Sequence, residues 1–227
     1  MTIERVRIWL GCLGLAAGLA SCSEPARVVR YAGGESWSEI RFDDGQPDGE
    51  WKTWYESGQL ESLQTFDGGV RNGPVQCWYE DGRPRLDGSY LHGQQDGAWT
   101  TWYPGGAIER QREFLAGQPH GRWFWYYESG QMRRSATYVL GRLQGETLLQ
   151  APDGMRLRKG FIEADGTERW TQWSPRGVKV REVVLREGCL DGPCSFWSED
   201  GELDLERTGI YSHGKRLGDI DSPAASN

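Results

Sequence analysis

The stretch GQPDGEWKTWYESGQ, residues 45–59, combines glycines at fixed offsets with a run of aromatic strand formers. Tryptophan and tyrosine beside charged groups are side chains that a ligand pocket offers. Glycines at fixed offsets are what tight turns require, because glycine adopts positive φ without steric cost. The rest of the chain decides between a binding site and a repeated structural unit.

The stretch recurs along the chain. Its last glycine returns every 24 residues, with one spacing of 23. A fixed period of this length indicates a repeat architecture. The members of this glycine column are Gly58, Gly82, Gly106, Gly130, Gly154, Gly177 and Gly201. A second pair of glycines, four residues apart and beginning with Gly45 and Gly49, keeps nearly the same period.

Each unit of this repeat predicts one β-hairpin. Residues 51–55 are strand formers, and residues 56–58 place glycine where a hairpin turn needs positive φ. The chain then returns through a second strand around residues 60–65. A lone hairpin is marginal in water, so contacts between units must supply stability. Asp-Gly and Asn-Gly pairs predict the crossings into the next unit, at 44/45, 48/49, 72/73, 96/97 and 191/192.

The glycines and aromatics of the unit follow the pattern G-x-x-x-G-x-W-x-x-W-Y-x-x-G, which stands at residues 45–58 and again at 93–106. This pattern resembles the MORN-variant repeat of YwqK-like antitoxin proteins. The resemblance covers residues 42–218. It implies an all-β fold, an elongated repeat ribbon of about seven 24-residue antiparallel β-hairpins. Residues 138–160 and 161–184 depart from the pattern, so we expect these two units to be irregular.

The N-terminus carries the pattern of a secretion signal. Arg5 and Arg7 precede an apolar stretch at residues 8–20, which is shorter than the ~20 residues that span a bilayer. The stretch closes on Leu-Ala-Ser-Cys at residues 19–22, which resembles the lipobox of bacterial lipoproteins. That resemblance implies cleavage before Cys22 and lipidation of Cys22. An ordinary signal peptide with an incidental cysteine is the alternative.

These patterns divide the chain into four segments. Two or more acyl chains anchor a protein stably, so we expect attachment to a membrane through Cys22. Ser23 resembles the sorting signal of Gram-negative lipoproteins, so the expected place is the cell envelope, at the outer membrane if the source is Gram-negative. The segments are the signal peptide 1–21, the lipidated cysteine with its linker 22–41, the MORN-variant repeat domain 42–218 and a disordered tail 219–227.

Export affects how the remaining cysteines are interpreted. An oxidising compartment permits disulfides, and Cys189 and Cys194 are close enough in sequence to pair across a short turn. Cys77 then stays unpaired. Three small buried residues without any bridge are the alternative, and the sequence favours neither.

Charge and motifs exclude several classes of function. The chain has 26 Lys and Arg against 33 Asp and Glu, a net charge of −7, and no run of four basic residues. Such a chain repels phosphate backbones, so we expect no nucleic-acid partner. The three histidines each adjoin a turn glycine, and neither a nucleophile elbow, a phosphate loop nor metal-ligand spacing is present. We therefore expect no enzyme activity, no catalytic residue, no cofactor and no metal.

The aromatic columns are the remaining candidate site. Strand alternation puts Trp51 and Trp54 on opposite faces, so both faces of the predicted sheet carry aromatics. Either successive aromatics stack into a core, or the second column stays partly open as a platform for a partner. The members proposed to bind a partner are Trp54, Trp78, Trp102, Tyr126, Trp173 and Trp197.

Two functions follow from an open aromatic column. The first is a non-enzymatic lipoprotein that binds a protein partner in the cell envelope, and the YwqK resemblance implies that this partner is a toxin. The second is a cell-wall or glycan-binding module. It is suggested by residues 123–132, WFWYYESGQM, which are similar to the choline- and glucan-binding repeats of cell-wall proteins.

Overall fold

A computed structural model describes residues 26–30, 34 and 36–220. The predicted signal peptide, Cys22 and most of the linker and tail lie outside these described residues. The chain divides into two compact units, Met1–Gln94 (unit 1) and Gln95–Asn227 (unit 2). Within the described residues, no helix is long and apolar enough to span a membrane.

The described part of unit 1 is an antiparallel sheet in which each strand pairs with the next along the chain. Glycine turns and β-rich segments alternate here as the repeat predicts. The strands are β1 (Arg27–Arg30), β2 (Ser36–Asp43), β3 (Gln46–Trp54), β4 (Leu60–Asp67), β5 (Val70–Trp78) and β6 (Pro84–Leu91).

The described part of unit 2, with all but the first residue of β7, is built in the same way. Consecutive strands pair antiparallel from β7 to β14, and β14 also pairs with β15 and β16. The predicted all-β class of antiparallel hairpins is confirmed. The strands are β7 (Gln94–Trp102), β8 (Ile108–Leu115), β9 (Gln118–Tyr126), β10 (Met132–Val139), β11 (Arg142–Gln150), β12 (Arg156–Ile162), β13 (Glu168–Trp173), β14 (Lys179–Arg186), β15 (Cys189–Leu190), β16 (Gly192–Phe196), β17 (Gly209–Ser212) and β18 (Lys215–Gly218).

Two kinds of turn alternate along the chain. The first is a two-residue turn with positive φ at both positions, such as Asp44 at 47° and Gly45 at 78°, which is the type I′ geometry that suits the twist of a hairpin. The second is the predicted loop around Gly58, whose φ is 82°. There the amide of Tyr55 donates to the carbonyl of Gln59 at 2.9 Å, and Gly58 donates back to Tyr55 at 2.9 Å.

The Asp-Gly and Asn-Gly pairs were predicted to be turns, and the structure corrects most of them. Only the pair at 44/45 is a two-residue turn, whereas 48/49, 72/73 and 96/97 lie inside β3, β5 and β7. The Asp and Asn side chains of these pairs instead accept hydrogen bonds from the backbone of a neighbouring turn. Asp48 Oδ1 accepts from the amide of Gly68 at 3.3 Å, and Asn72 Oδ1 accepts from that of His92 at 3.3 Å. The pair at 191/192 lies between β15 and β16.

The prediction of irregular units is wrong for residues 138–160, because β11 and β12 pair in register from Gly145↔Ile162 to Leu149↔Arg158. In residues 161–184, a loop of the second kind replaces the two-residue turn: the amide of Glu163 donates to the carbonyl of Thr167 at 2.8 Å, and Gly166 adopts φ of 85°. The irregular segment is 197–208, between β16 and β17, where a single bridge joins Trp197 to Leu203.

The core lies on one face of the sheet in each unit, and we call it the core face. In unit 1 the rings of Trp51 and Phe66 meet there with centroids 5.7 Å apart, and Val75 is buried. In unit 2 the core face holds Trp99 and Phe114, exposed to only 2% and 7%. The opposite face, which carries the Trp54 column, is called the open face.

Leu140 is an unfavourable residue type for its position in a two-residue turn. It adopts φ of 46° and is 57% exposed, so a bulky side chain has the left-handed backbone that asparagine or glycine tolerates better. We expect Leu140→Asn to raise the free energy of unfolding by about 1 kcal/mol. Chemical unfolding measures the change, with Leu115→Asn as a control because Leu115 is similarly exposed but ends a regular strand. Equal effects of the two substitutions would contradict the proposed backbone strain at Leu140.

Candidate partner-binding surface

The predicted aromatic column lies on the open face within each unit. In unit 1, Thr53 and Cys77 both pair with Ser62 on the core face. Strand alternation therefore places the next residues, Trp54 and Trp78, on the open face. All six proposed binding residues are half-buried. The column is therefore neither a closed core nor a fully exposed platform. The members in unit 2 are Trp102, Tyr126, Trp173 and Trp197.

Tyr126 and Trp197 show how these rings are held. The hydroxyl of Tyr126 donates to Gln111 Oε1 at 2.9 Å, and its ring stacks on Phe124 with centroids 6.4 Å apart. Lys179 Nζ lies 4.9 Å from the ring centroid of Trp197. Such contacts fix the orientation of the rings, which lowers the entropy that a partner must remove on binding.

A column of tyrosines that the sequence analysis did not single out links successive repeats. Each tyrosine follows the second aromatic of its unit, and in three of them the hydroxyl donates to a backbone carbonyl one repeat further on. The bonds run from Tyr55 to Trp78 at 2.8 Å, from Tyr103 to Tyr126 at 2.9 Å and from Tyr127 to Gln150 at 2.9 Å. The recurrence of Tyr at residues 55, 79, 103 and 127 was the signal that could have indicated this role.

Removing one of these hydroxyls tests whether the tyrosines stabilise the repeat. We expect Tyr103→Phe and Tyr127→Phe each to lower the free energy of unfolding by about 1 kcal/mol, since each loses one partly buried hydrogen bond. Tyr138→Phe is the matched control, because Tyr138 contacts Trp123 through its ring, at 4.8 Å between centroids. Urea unfolding provides the comparison, and an equal loss in the control would count against the interpretation.

A groove of about 600 Å³ lies in unit 2, with open-face side chains of β12 to β14 among its lining residues. Phe161 stands in it with 47% of its surface exposed. Lys159, Arg169 and Glu182 supply charges of both signs around that ring. An exposed aromatic ringed by polar groups is typical of a protein-contact surface.

Cys189 and Cys194 are free thiols in the structure, so the predicted pairing is not formed. The reason is their different environments. Cys194 is fully buried on the core face with its Sγ 3.8 Å from the carbonyl of Val184, whereas Cys189 is exposed in β15. Burial raises the pKa of the Cys194 thiol above its ordinary value. The alternative, three small buried cysteines without a bridge, agrees with the free thiols but is wrong about burial, because only Cys194 is buried.

Thiol labelling distinguishes the free thiols from a disulfide. At pH 8 we expect a thiol reagent to modify Cys189 at least tenfold faster than Cys194, because Cys194 is buried and its raised pKa lowers the fraction of reactive thiolate. Peptide mapping of the full-length chain, sampled over time, reads out each site. Modification of neither cysteine until a reductant is added would show a disulfide instead.

Within the described residues, no group of three or more His, Cys, Asp or Glu is placed to hold a metal ion. The sequence profile of the MORN repeat variant family matches residues 47–67 and 119–139. The two matched segments cover β4 and β10 and begin three repeats apart. No curated protein matches the chain significantly.

Proposed function

We propose that the chain is a non-enzymatic repeat protein that binds a protein partner in the cell envelope through the aromatic columns of its open faces. MORN repeats are repeat modules for binding, and the family profile matches two of the units. The observation that carries the proposal is the half-buried state of all six column residues. Aromatic rings that are oriented yet accessible are preferred anchors of protein interfaces.

The envelope is proposed from the N-terminal sequence. The Leu-Ala-Ser-Cys motif at residues 19–22 would place a lipid on Cys22 and hold the repeats at a membrane surface. The resemblance to YwqK-like antitoxins gives the finer proposal, that the partner is a toxin which the chain neutralises.

A retention experiment tests the partner class. The full-length chain, purified in non-ionic detergent and immobilised, is exposed to envelope extract and to purified peptidoglycan. We expect one protein to be retained in stoichiometric amount and to be lost from the variants Trp54→Ala/Trp78→Ala and Trp102→Ala/Tyr126→Ala. The control Leu91→Ala/Leu115→Ala removes exposed apolar side chains at strand ends and should retain the partner.

Two outcomes would overturn the proposal. Retention by peptidoglycan alone, lost in the same aromatic variants, would favour the glycan-binding module. Retention of a protein that is equally strong in all variants would show that the open face is not the site. For the finer proposal, the retained protein is expressed with and without the chain, and growth inhibition that the chain does not relieve would exclude toxin neutralisation.

A further inference from the structure

A row of arginines crosses the core face of unit 2. Antiparallel partners share a face, so a chain of paired residues can be followed from strand to strand. From β8 to β16 one such row alternates arginine with an uncharged residue. Its members in order are Arg110, Trp125, Arg134, Leu149, Arg158, Gln172, Arg181 and Phe196.

Most of these arginines lack a carboxylate partner. Arg110 is paired with Glu109 at 2.6 Å, but Arg134, Arg158 and Arg181 form no ion pair among the described residues. Arg134 lies over the ring of Trp125 with 4.7 Å to the centroid, and Arg158 lies over the ring of Trp170 with 3.6 Å. The rings therefore fix two of the guanidinium groups without neutralising them.

The row is also electrostatically unfavourable in the free protein. The Nε atoms of Arg158 and Arg181 are buried and have no hydrogen-bond acceptor. Burial, followed by the charge of Arg181, lowers the pKa of Arg158 below its ordinary value. An anion placed along the row would relieve the repulsion between the guanidinium groups.

The opposite face shows that the chain can neutralise its cations. On the open face, Arg122 lies 3.8 Å from Glu146, and Arg169 lies 2.8 Å from Glu163. The chain has 33 acidic residues in total, yet none stands in the arginine row, and the acid that acts on Arg158 from the same face, Glu168, bonds to the indole of Trp170. Within the part of the chain that the structure describes, Arg134, Arg158 and Arg181 thus stay without an ion pair although the chain is rich in acids.

The spacing of the row indicates the shape of the anion. Alternate strands of a sheet are about 10 Å apart, so the guanidinium groups repeat at about that distance. Seven residues of an α-helix also span about 10 Å, and carboxylates seven residues apart lie on one side of the helix. The phosphates of a nucleic-acid strand are much denser, at about one per 3.4 Å, and the net charge of −7 repels them.

We propose that the arginine row docks an acidic α-helix of a partner protein, with carboxylates at every seventh residue lying across the strands of unit 2. The surface is separate from the aromatic column, which is on the other face. It gives the protein a second, charge-selective contact that the proposed function does not require.

The probe is a synthetic 28-residue helical peptide with four glutamates spaced seven apart, compared with a peptide of the same composition in which the glutamates are spread around the helix. Binding to the full-length chain is measured by tryptophan fluorescence and calorimetry. We expect the first peptide to bind at least tenfold more tightly than the second. Comparable affinities for the two peptides would overturn the proposal.

Two triple variants with the same change of charge locate the contact. Arg134→Gln/Arg158→Gln/Arg181→Gln should weaken binding of the first peptide at least tenfold, whereas Arg122→Gln/Lys159→Gln/Arg169→Gln on the open face should change it less than twofold. Lysine at the three row positions should restore part of the affinity, which separates lost charge from lost folding. Equal loss in both triple variants, or displacement of the peptide by a short oligothymidylate or by anionic vesicles, would contradict the proposal.

Discussion

Replacing Trp99 by alanine is expected to lower the free energy of unfolding by about 3–5 kcal/mol. Trp99 is 2% exposed, and its ring meets that of Phe114 edge-on with centroids 6.1 Å apart. The substitution removes the buried area of an entire indole and leaves a cavity in a core that is one side chain deep. Few neighbouring side chains are available to fill it.

Urea unfolding of the full-length chain in detergent, followed by far-ultraviolet circular dichroism, measures this loss. Trp102→Ala is the matched control, because it removes the same side chain from the same strand at a half-buried position. We expect a loss on the order of 1–2 kcal/mol for the control. A control that costs as much as Trp99→Ala would show that the two faces of β7 contribute equally to stability.

The hairpin repeat could be predicted from the sequence because its period depends on local chemistry. The loop at Gly58 needs positive φ, and glycine supplies it wherever it recurs. Alternation within residues 51–55 then assigns Trp51 and Trp54 to opposite faces. Each of these inferences uses only residues that are neighbours in the chain, so no knowledge of strand pairing is needed.

Contacts between repeats could not be predicted in the same way. Asp48 favours a turn where it stands, but in the folded protein it bonds to the amide of Gly68 in the neighbouring turn. The arginine row depends on register, and the register shifts between Gln111 and Glu113 on the way from β8 to β9. A shift of one residue moves a side chain to the other face, so spacing alone cannot align Arg110 with Trp125.

Replacing Gly160 by alanine is expected to lower the free energy of unfolding by about 1–3 kcal/mol. Gly160 is buried in β12 opposite Trp170, and a Cβ at Gly160 would overlap the indole ring of that residue. Gly160 is not among the glycines with positive φ, so the cost comes from the overlap and not from the backbone. Moving the indole would also weaken its stacking with Arg158, 3.6 Å from the ring centroid, and its hydrogen bond to Glu168.

A double-mutant cycle isolates this overlap. Gly218→Ala is the control for the change of backbone entropy, because a Cβ there meets no atom within 4 Å, and we expect it to be nearly neutral. In a Trp170→Ala background the ring is absent, so Gly160→Ala should lose most of its cost, leaving a coupling energy of about 1–3 kcal/mol. Because the ring holds Arg158 in the arginine row, Gly160→Ala should also weaken the binding of the acidic helical peptide to the chain. A cost that persists undiminished without Trp170 would place the constraint in the backbone of β12 instead.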